Sequence, residues 1–190
     1  MAGESLTSWI IGGLILVLLF GFVIYFIGIY NRFFSLKNSS EATLGQIRVA
    51  MKKRLDMIEQ LLGSVKSYAQ FELEVFEKVT AMRARVGSAG PGDLNEIERE
   101  SRSVLGRLFA VAENYPDLKT STIVMNLMDA VRGVEEEIAR QRYTYNNISQ
   151  QYNTLVDVIP SNFVARILGL GKLAYLEFEE VIATPPKIEF

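Results

Sequence analysis

A chain of 190 residues, 49% of them hydrophobic and with a formal net charge of −2, has the length of one compact domain plus an appendage. It contains no cysteine and no histidine. The first absence excludes a disulfide framework and thiolate chemistry; the second removes the commonest general base, the usual transition-metal ligand and the physiological-pH switch.

Residues 1–8 are read as a short extracytoplasmic N-terminus. From Trp9 to Tyr30, "WIIGGLILVLLFGFVIYFIGIY" carries no charge over 22 residues. As a helix it is roughly 33 Å long, against a hydrocarbon core of about 30 Å. Trp9, Tyr25 and Tyr30 fall near the two interfaces, as membrane aromatics do. A cleaved signal peptide fits less well, because its apolar region is shorter and follows a basic start. Residues 9–30 are therefore expected to form a permanent single-pass anchor in the cell membrane. No Lys or Arg precedes it, whereas Arg32 and Lys37 follow. That asymmetry places the N-terminus outside and the large C-terminal part in the cytoplasm. Gly21 and Gly28 share one face of the span, without a strict G-x-x-x-G.

Residues 31–40 form a juxtamembrane segment in which helix either continues or breaks. A helical bundle domain is then expected over 41–171. Leu44, Ile47, Met51, Leu55, Ile58, Leu62, Val65, Ala69, Phe76 and Val79 keep a three-four spacing, interrupted at Glu72. This predicts one amphipathic, coiled-coil-like helix from Glu41 to Val86. "GSAGPGD" ends it. Asp93 with Glu96 reads as a capping box opening a second helix, whose face is Leu94, Ile97, Val104, Leu108 and Val111. Pro116 stops that helix, and a third begins near Asp117 to Ser121. Its seam is Ile123, Leu127, Val131, Val134, Ile138, Tyr145, Ile148, Tyr152, Leu155 and Ile159, and Pro160 ends it. Ser161 is placed to cap a short helix closed by Gly169 and Gly171. Residues 172–190 are a C-terminal tail, extended or mobile at "ATPPKIEF".

The expected fold class is thus all-α: an N-terminal transmembrane helix, then an elongated antiparallel bundle of three main helices plus a short C-terminal helix. The middle helix is shorter than its neighbours. Some apolar seam must be covered by the C-terminal segment, the membrane surface or another subunit.

Several blocks occur together and in order: "YN" at the end of the span, "IRVAMKKRLDMIEQLLGSVKSYAQFE", "AENYPDLK" and "EEEIARQRYTYNNISQQYNTLVDVIPSNFVARILGL". In these the chain resembles the LemA family over nearly its whole length. The resemblance implies a single-pass membrane protein with its N-terminus mostly outside and a long helical bundle. It implies no general enzymatic activity. Two departures are visible. Glu59-Gln60 stands where the family commonly carries Pro-Asn, which predicts an unkinked opening helix here. "GKLAY" before Phe178 is also looser than the family pattern.

Within "RQRYTYNNISQQYNTLVDVIP", Tyr145 and Tyr152 continue the core seam. Arg142, Asn146, Ser149 and Asn153 form a stripe about 100° round from it. These six residues are either a recognition stripe for a partner or small ligand, or a core edge where the tyrosines bury their rings and hydrogen-bond at their tips while the Asn and Arg side chains satisfy backbone groups of the adjoining helix or chain break. Asn146 and Asn153 are assigned here to the register of the third helix against the first, as buried asparagine does in coiled coils.

"MKKRLD" reads as a solvated basic face, and a pI near 5.4 argues against nucleic acid. Glu135, Glu136 and Glu137 are consecutive, and Asp56 shares a face with Glu59, but no Glu-x-x-His pair and no calcium loop exists. Asn38-Ser39-Ser40 and Asn147-Ile148-Ser149 match the glycosylation sequon, which a cytoplasmic domain leaves unused. No catalytic residue, cofactor, metal or small-molecule substrate is expected. The partners expected are the lipid bilayer and either further copies of the chain or another membrane protein. The expected function is a non-enzymatic, membrane-anchored scaffold. The alternative is a ligand-sensing or regulatory bundle acting on a membrane partner such as a protease or transporter.

Overall fold

The computed structural model describes residues 2–66 and 73–177, and among them every regular element is helical. Helix α1 runs Ala2–Val65 and α2 Leu73–Arg85, followed by a 3-10 turn at Val86–Ser88. Then come α3 (Pro91–Asn114), the single turn α4 (Pro116–Lys119), α5 (Thr122–Asp157) and α6 (Ser161–Ile167). Residues 67–72, which include Ala69 and Glu72 of the first expected seam, lie outside the described residues, as does the tail from Phe178. The helix expected from Glu41 to Val86 is thus described up to Val65 and again from Leu73.

Residues 31–40 are helical within α1, and so are Glu59-Gln60. "RFFSLKNSS" holds neither Pro nor Gly, and the Ser40 hydroxyl donates to the Lys37 carbonyl at 2.7 Å, satisfying itself inside the helix. The apolar stretch of α1 from Trp9 is long and hydrophobic enough to cross a membrane, and its most apolar 18-residue window holds no buried residue.

The described residues fall into two compact units. One contains the chain up to Ser40 with Ile148–Leu173; the other contains Glu41–Asn147 and the segment from Ala174. In the larger unit the three-four spacing becomes burial. Leu44, Ile47, Met51, Leu55, Ile58, Leu62 and Val65 of α1 share one core with Val79 and Met82 of α2. Leu94, Ile97, Val104 and Leu108 of α3 and Val131, Val134 and Ile138 of α5 complete it. Ile123 departs from its expected seam: it is exposed and Val124 is buried instead, because α4 interposes a turn before α5 begins. The Thr120 hydroxyl closes that turn by donating to the Pro116 and Asp117 carbonyls at 3.2 Å.

Two caps differ from their expected roles. Helix α3 starts at Pro91, with Gly90 outside it, so Asp93 is the third residue in rather than the cap. Its carboxylate accepts from the Gly90 N–H at 3.2 Å. Glycine has no side chain to return the bond, so only that half of a capping box forms. Ser161 is the first residue of α6, and its hydroxyl donates backward to the Leu155 and Val158 carbonyls at 2.8 and 3.0 Å. It therefore closes the end of α5.

The smaller unit has its own core. Phe33 of α1, Tyr152 and Leu155 of α5, and Val164 and Ala165 of α6 are buried together. Phe26, Ile29 and Leu36 of α1 and Leu168, Leu170 and Leu173 pack around them. Gly169 ends α6 with φ +64°, a left-handed conformation that glycine adopts without penalty. There the Leu170 N–H reaches the Ala165 carbonyl at 2.9 Å and the Gly169 N–H the Arg166 carbonyl at 3.2 Å. This pair of bonds is the Schellman closure, and it turns the chain into the non-helical segment that follows.

Candidate functional site

Within the larger unit, Arg54 of α1 is fully buried, although the "MKKRLD" run reads as solvated. Lys52 and Lys53 are exposed, as that reading expects; Arg54 is not. Its position explains this, because Ile47, Arg54 and Leu61 recur every seven residues on the buried face. Opposite it on α3 stand Glu98 and Ser101, also buried and also at core spacing.

The Arg54 guanidinium donates to Glu98 Oε2 at 2.6 Å and to the Ser101 hydroxyl. Ser101 in turn donates to the Ile97 carbonyl at 2.6 Å. Arg102 Nε donates to Glu98 Oε1 at 2.7 Å, and Arg142 Nη1 of α5 lies 3.4 Å from the same oxygen. Glu135 stands 4.0 Å from Arg54 Nη1. Among the described residues, Arg54 Nε and Nη1 have no hydrogen-bond acceptor. The cluster is therefore rich in positive charge, with Glu98 as its one central anion.

Burial alone would push the Glu98 carboxyl up. The adjacent Arg54 charge and hydrogen bond, then Arg102 and Arg142, outweigh it and hold the group below its ordinary value. Glu98 is thus ionised at neutral pH and cannot act as a general acid there. The arrangement ties α1, α3 and α5 together at one level. It leaves the carboxylate no open face for a substrate.

The stripe read from the sequence lies further along α5. In the larger unit the Tyr145 hydroxyl donates to the Ala174 carbonyl at 3.1 Å. Asn146 grips one residue from both sides: its Nδ2 donates to the Leu176 carbonyl at 2.7 Å, and its Oδ1 accepts from the Leu176 N–H at 2.8 Å. Asn95 of α3 accepts from the Glu177 N–H at 3.0 Å. In the smaller unit Asn153 treats Leu173 in the same way, donating at 2.9 Å and accepting at 2.8 Å. Each asparagine side chain thus replaces the strand neighbour that an extended backbone would otherwise need. Their amides bind the C-terminal segment, where the sequence reading assigns them to register between helices.

Tyr152 packs edge-on against Phe33, ring centroids 5.3 Å apart. Burial pushes its phenol up, so it stays neutral at physiological pH. Ser149 is buried, and among the described residues its hydroxyl has no hydrogen-bond partner. Asp56 and Glu59 both face Arg83 of α2 on the surface. Among the described residues no group of acidic side chains is placed to hold a metal.

Among the described residues every regular element is helical and one helix carries an apolar stretch of membrane-spanning length, which together define a membrane-associated helical protein. The comparisons narrow this class. The model of the LemA family matches residues 43–190, and the chain belongs to that family. It is similar to Protein LemA of Metamycoplasma hominis, 26% identical over 162 residues covering 84% of this chain and 74% of the relative. It is also similar to Magnetosome protein MamQ 2 of Paramagnetospirillum magneticum, at 22% identity over 82% of this chain and 67% of the relative. Magnetosome protein MamQ of Magnetospirillum gryphiswaldense matches at 20% over the same shares.

Proposed function

We propose that the protein is a membrane-anchored, non-enzymatic helical scaffold that self-associates or docks another membrane protein. The observation that carries this reading is the continuity of α1. One helix bears the apolar span and also supplies Leu44, Ile47, Met51, Leu55, Ile58 and Leu62 to the larger core. A partner held by this protein would thereby be tethered to the bilayer. We take α1, α3 and α5 of the larger unit as an antiparallel, coiled-coil-like bundle, a reading supported by their three-four burial. We take its compartment as the cytoplasm, a reading supported by Arg32 and Lys37 after the span. The lack of His and Cys supports a role without catalysis.

A second reading has its own observation. A half-open cavity of about 380 Å³ lies in the larger unit, floored by Phe109, Leu118, Val124, Met125 and Met128. Glu113 and the Asp129–Arg132 pair stand at its rim. Its size is in the range of small-molecule sites, about 300–1,000 Å³. An apolar ligand with a polar end would fit, and the protein would then be a sensing or regulatory bundle acting on a membrane partner such as a protease or transporter.

Light scattering of the full-length protein in detergent is the direct test. The scaffold reading expects a mass that is a multiple of 21.4 kDa, or a crosslinked pull-down from native membranes that recovers one defined membrane protein. A strict monomer at every concentration, with no such partner, sinks it.

A further inference from the structure

The smaller unit leaves an apolar surface uncovered beside its core. At the end of α5 and along α6, Ile159 is 75% exposed, Phe163 56% and Ile167 71%, and Val158 is exposed as well. Ile159, Phe163 and Ile167 follow one another at intervals of four, which puts them on one side of α6 and the turn before it. The other side of α6, at Val164 and Ala165, is buried against Phe33, Tyr152 and Leu155. A helix that is apolar on both sides does not end in water.

What lies next to it decides what covers it. The core that Val164 and Ala165 enter is also packed by Phe26 and Ile29. Both belong to the uncharged stretch that ends at Tyr30. At about 1.5 Å per residue, Phe26 stands roughly 6 Å inside that end of the span. An element packed on Phe26 and Ile29 is therefore held at the boundary between headgroups and acyl chains. Interfacial helices bury their apolar faces there, to a depth of about 5–10 Å.

We infer that the α5–α6 corner is a second membrane contact, in which Ile159, Phe163 and Ile167 enter the leaflet through which the span leaves on its C-terminal side. Arg166 is exposed within the same helix, and Arg32 and Lys37 are exposed on α1 just beyond the span. These cations stand at the level of lipid phosphates. Lys172 is already matched by Asp157 at 2.8 Å. A lone span resists extraction but turns freely about its own axis; a second contact to one side of it removes that freedom. The contact goes beyond the scaffold reading and rests on the span alone.

The chain has one tryptophan, Trp9, so a single reporter can be moved. In a Trp9→Phe background, Phe163→Trp and Ile167→Trp are reconstituted as full-length protein in phosphatidylcholine–phosphatidylglycerol vesicles with and without brominated acyl chains. Tyr143→Trp, at an exposed site in the larger unit, is the aqueous control. The inference expects blue-shifted emission and several-fold stronger bromine quenching at 163 and 167 than at 143, unchanged when protein is diluted in lipid. Quenching no stronger than at 143 overturns it. So does a blue shift without bromine quenching that fades on dilution, which would place a second copy of the chain on this face. Vesicle flotation of each variant reports the span separately, and its loss would remove the anchor and this contact together.

Discussion

In the larger unit a carboxylate and two guanidiniums, Glu98, Arg54 and Arg142, lie inside an apolar core drawn from α1, α2, α3 and α5. In the smaller unit the interior is Phe33, Tyr152, Leu155, Val164 and Ala165, and large apolar side chains remain open beside it. The first core has enough helices around it to enclose charges, so its stability depends on how well those charges match. The second is too small to enclose its own apolar surface, so its stability depends on what surrounds it. Apolar burial is proportional to area, and a corner of two short helical ends supplies little.

The largest effect should come from breaking the charge match. Glu98→Leu leaves three arginines around a vacated anion site and should cost about 3–5 kcal/mol, read as a large fall in melting temperature. The double change Glu98→Leu with Arg54→Met should recover part of that loss, since an apolar pair of similar volume needs no counter-charge. No recovery would mean that the cluster stabilises through packing rather than charge.

The same site sets an acid limb. The Glu98 carboxyl is held below the ordinary carboxylate range, so its contribution is complete above that range. It is lost as pH falls through the depressed value of the folded state. Melting temperature should therefore drop as pH is lowered below about 5, and Glu98→Gln should flatten that drop. An unaltered acid limb in Glu98→Gln would assign it to other carboxylates.

Smaller effects should separate the two asparagine grips. Asn146→Ala leaves the Leu176 amide and carbonyl without their partner, and Asn153→Ala does the same at Leu173. Each should cost about 1–3 kcal/mol, with faster hydrogen exchange confined to the gripped residue and its neighbours. Exchange that rises equally at both places in each variant would show one cooperative strap instead of two grips. The smallest effect belongs to Gly169→Ala. A side chain in the left-handed region should cost about 1 kcal/mol, seen in the α6 amides before any others.

Much of this was legible along the chain. The apolar stretch shows itself because 22 consecutive uncharged residues make a helix long enough to cross a hydrocarbon core. The faces of α1 and α3 show themselves because leucine, isoleucine and valine at three-four spacing become the buried side of a helix. Arg54 was harder. Lys52 and Lys53 beside it read as solvent-facing, and only the seven-residue spacing from Ile47 and to Leu61 marks Arg54 as interior. Glu98 and Ser101 carried the same faint signal. The asparagines were visible as a stripe, but their partners at Leu173 and Leu176 sit 20 and 30 residues away in a segment without periodicity.

By itself the sequence determined helix, an apolar stretch of membrane-spanning length, and seam, because each depends on neighbours within a turn or two and on composition. It also determined which chemistries are out of reach of a chain without His or Cys. Tertiary structure alone decided that Arg54 meets Glu98, that Asn146 and Asn153 hold extended backbone, and that α6 packs on the last turns of the apolar stretch. Those outcomes depend on groups brought together from distant positions. Such pairings are set by what remains unsatisfied once the local helices have formed.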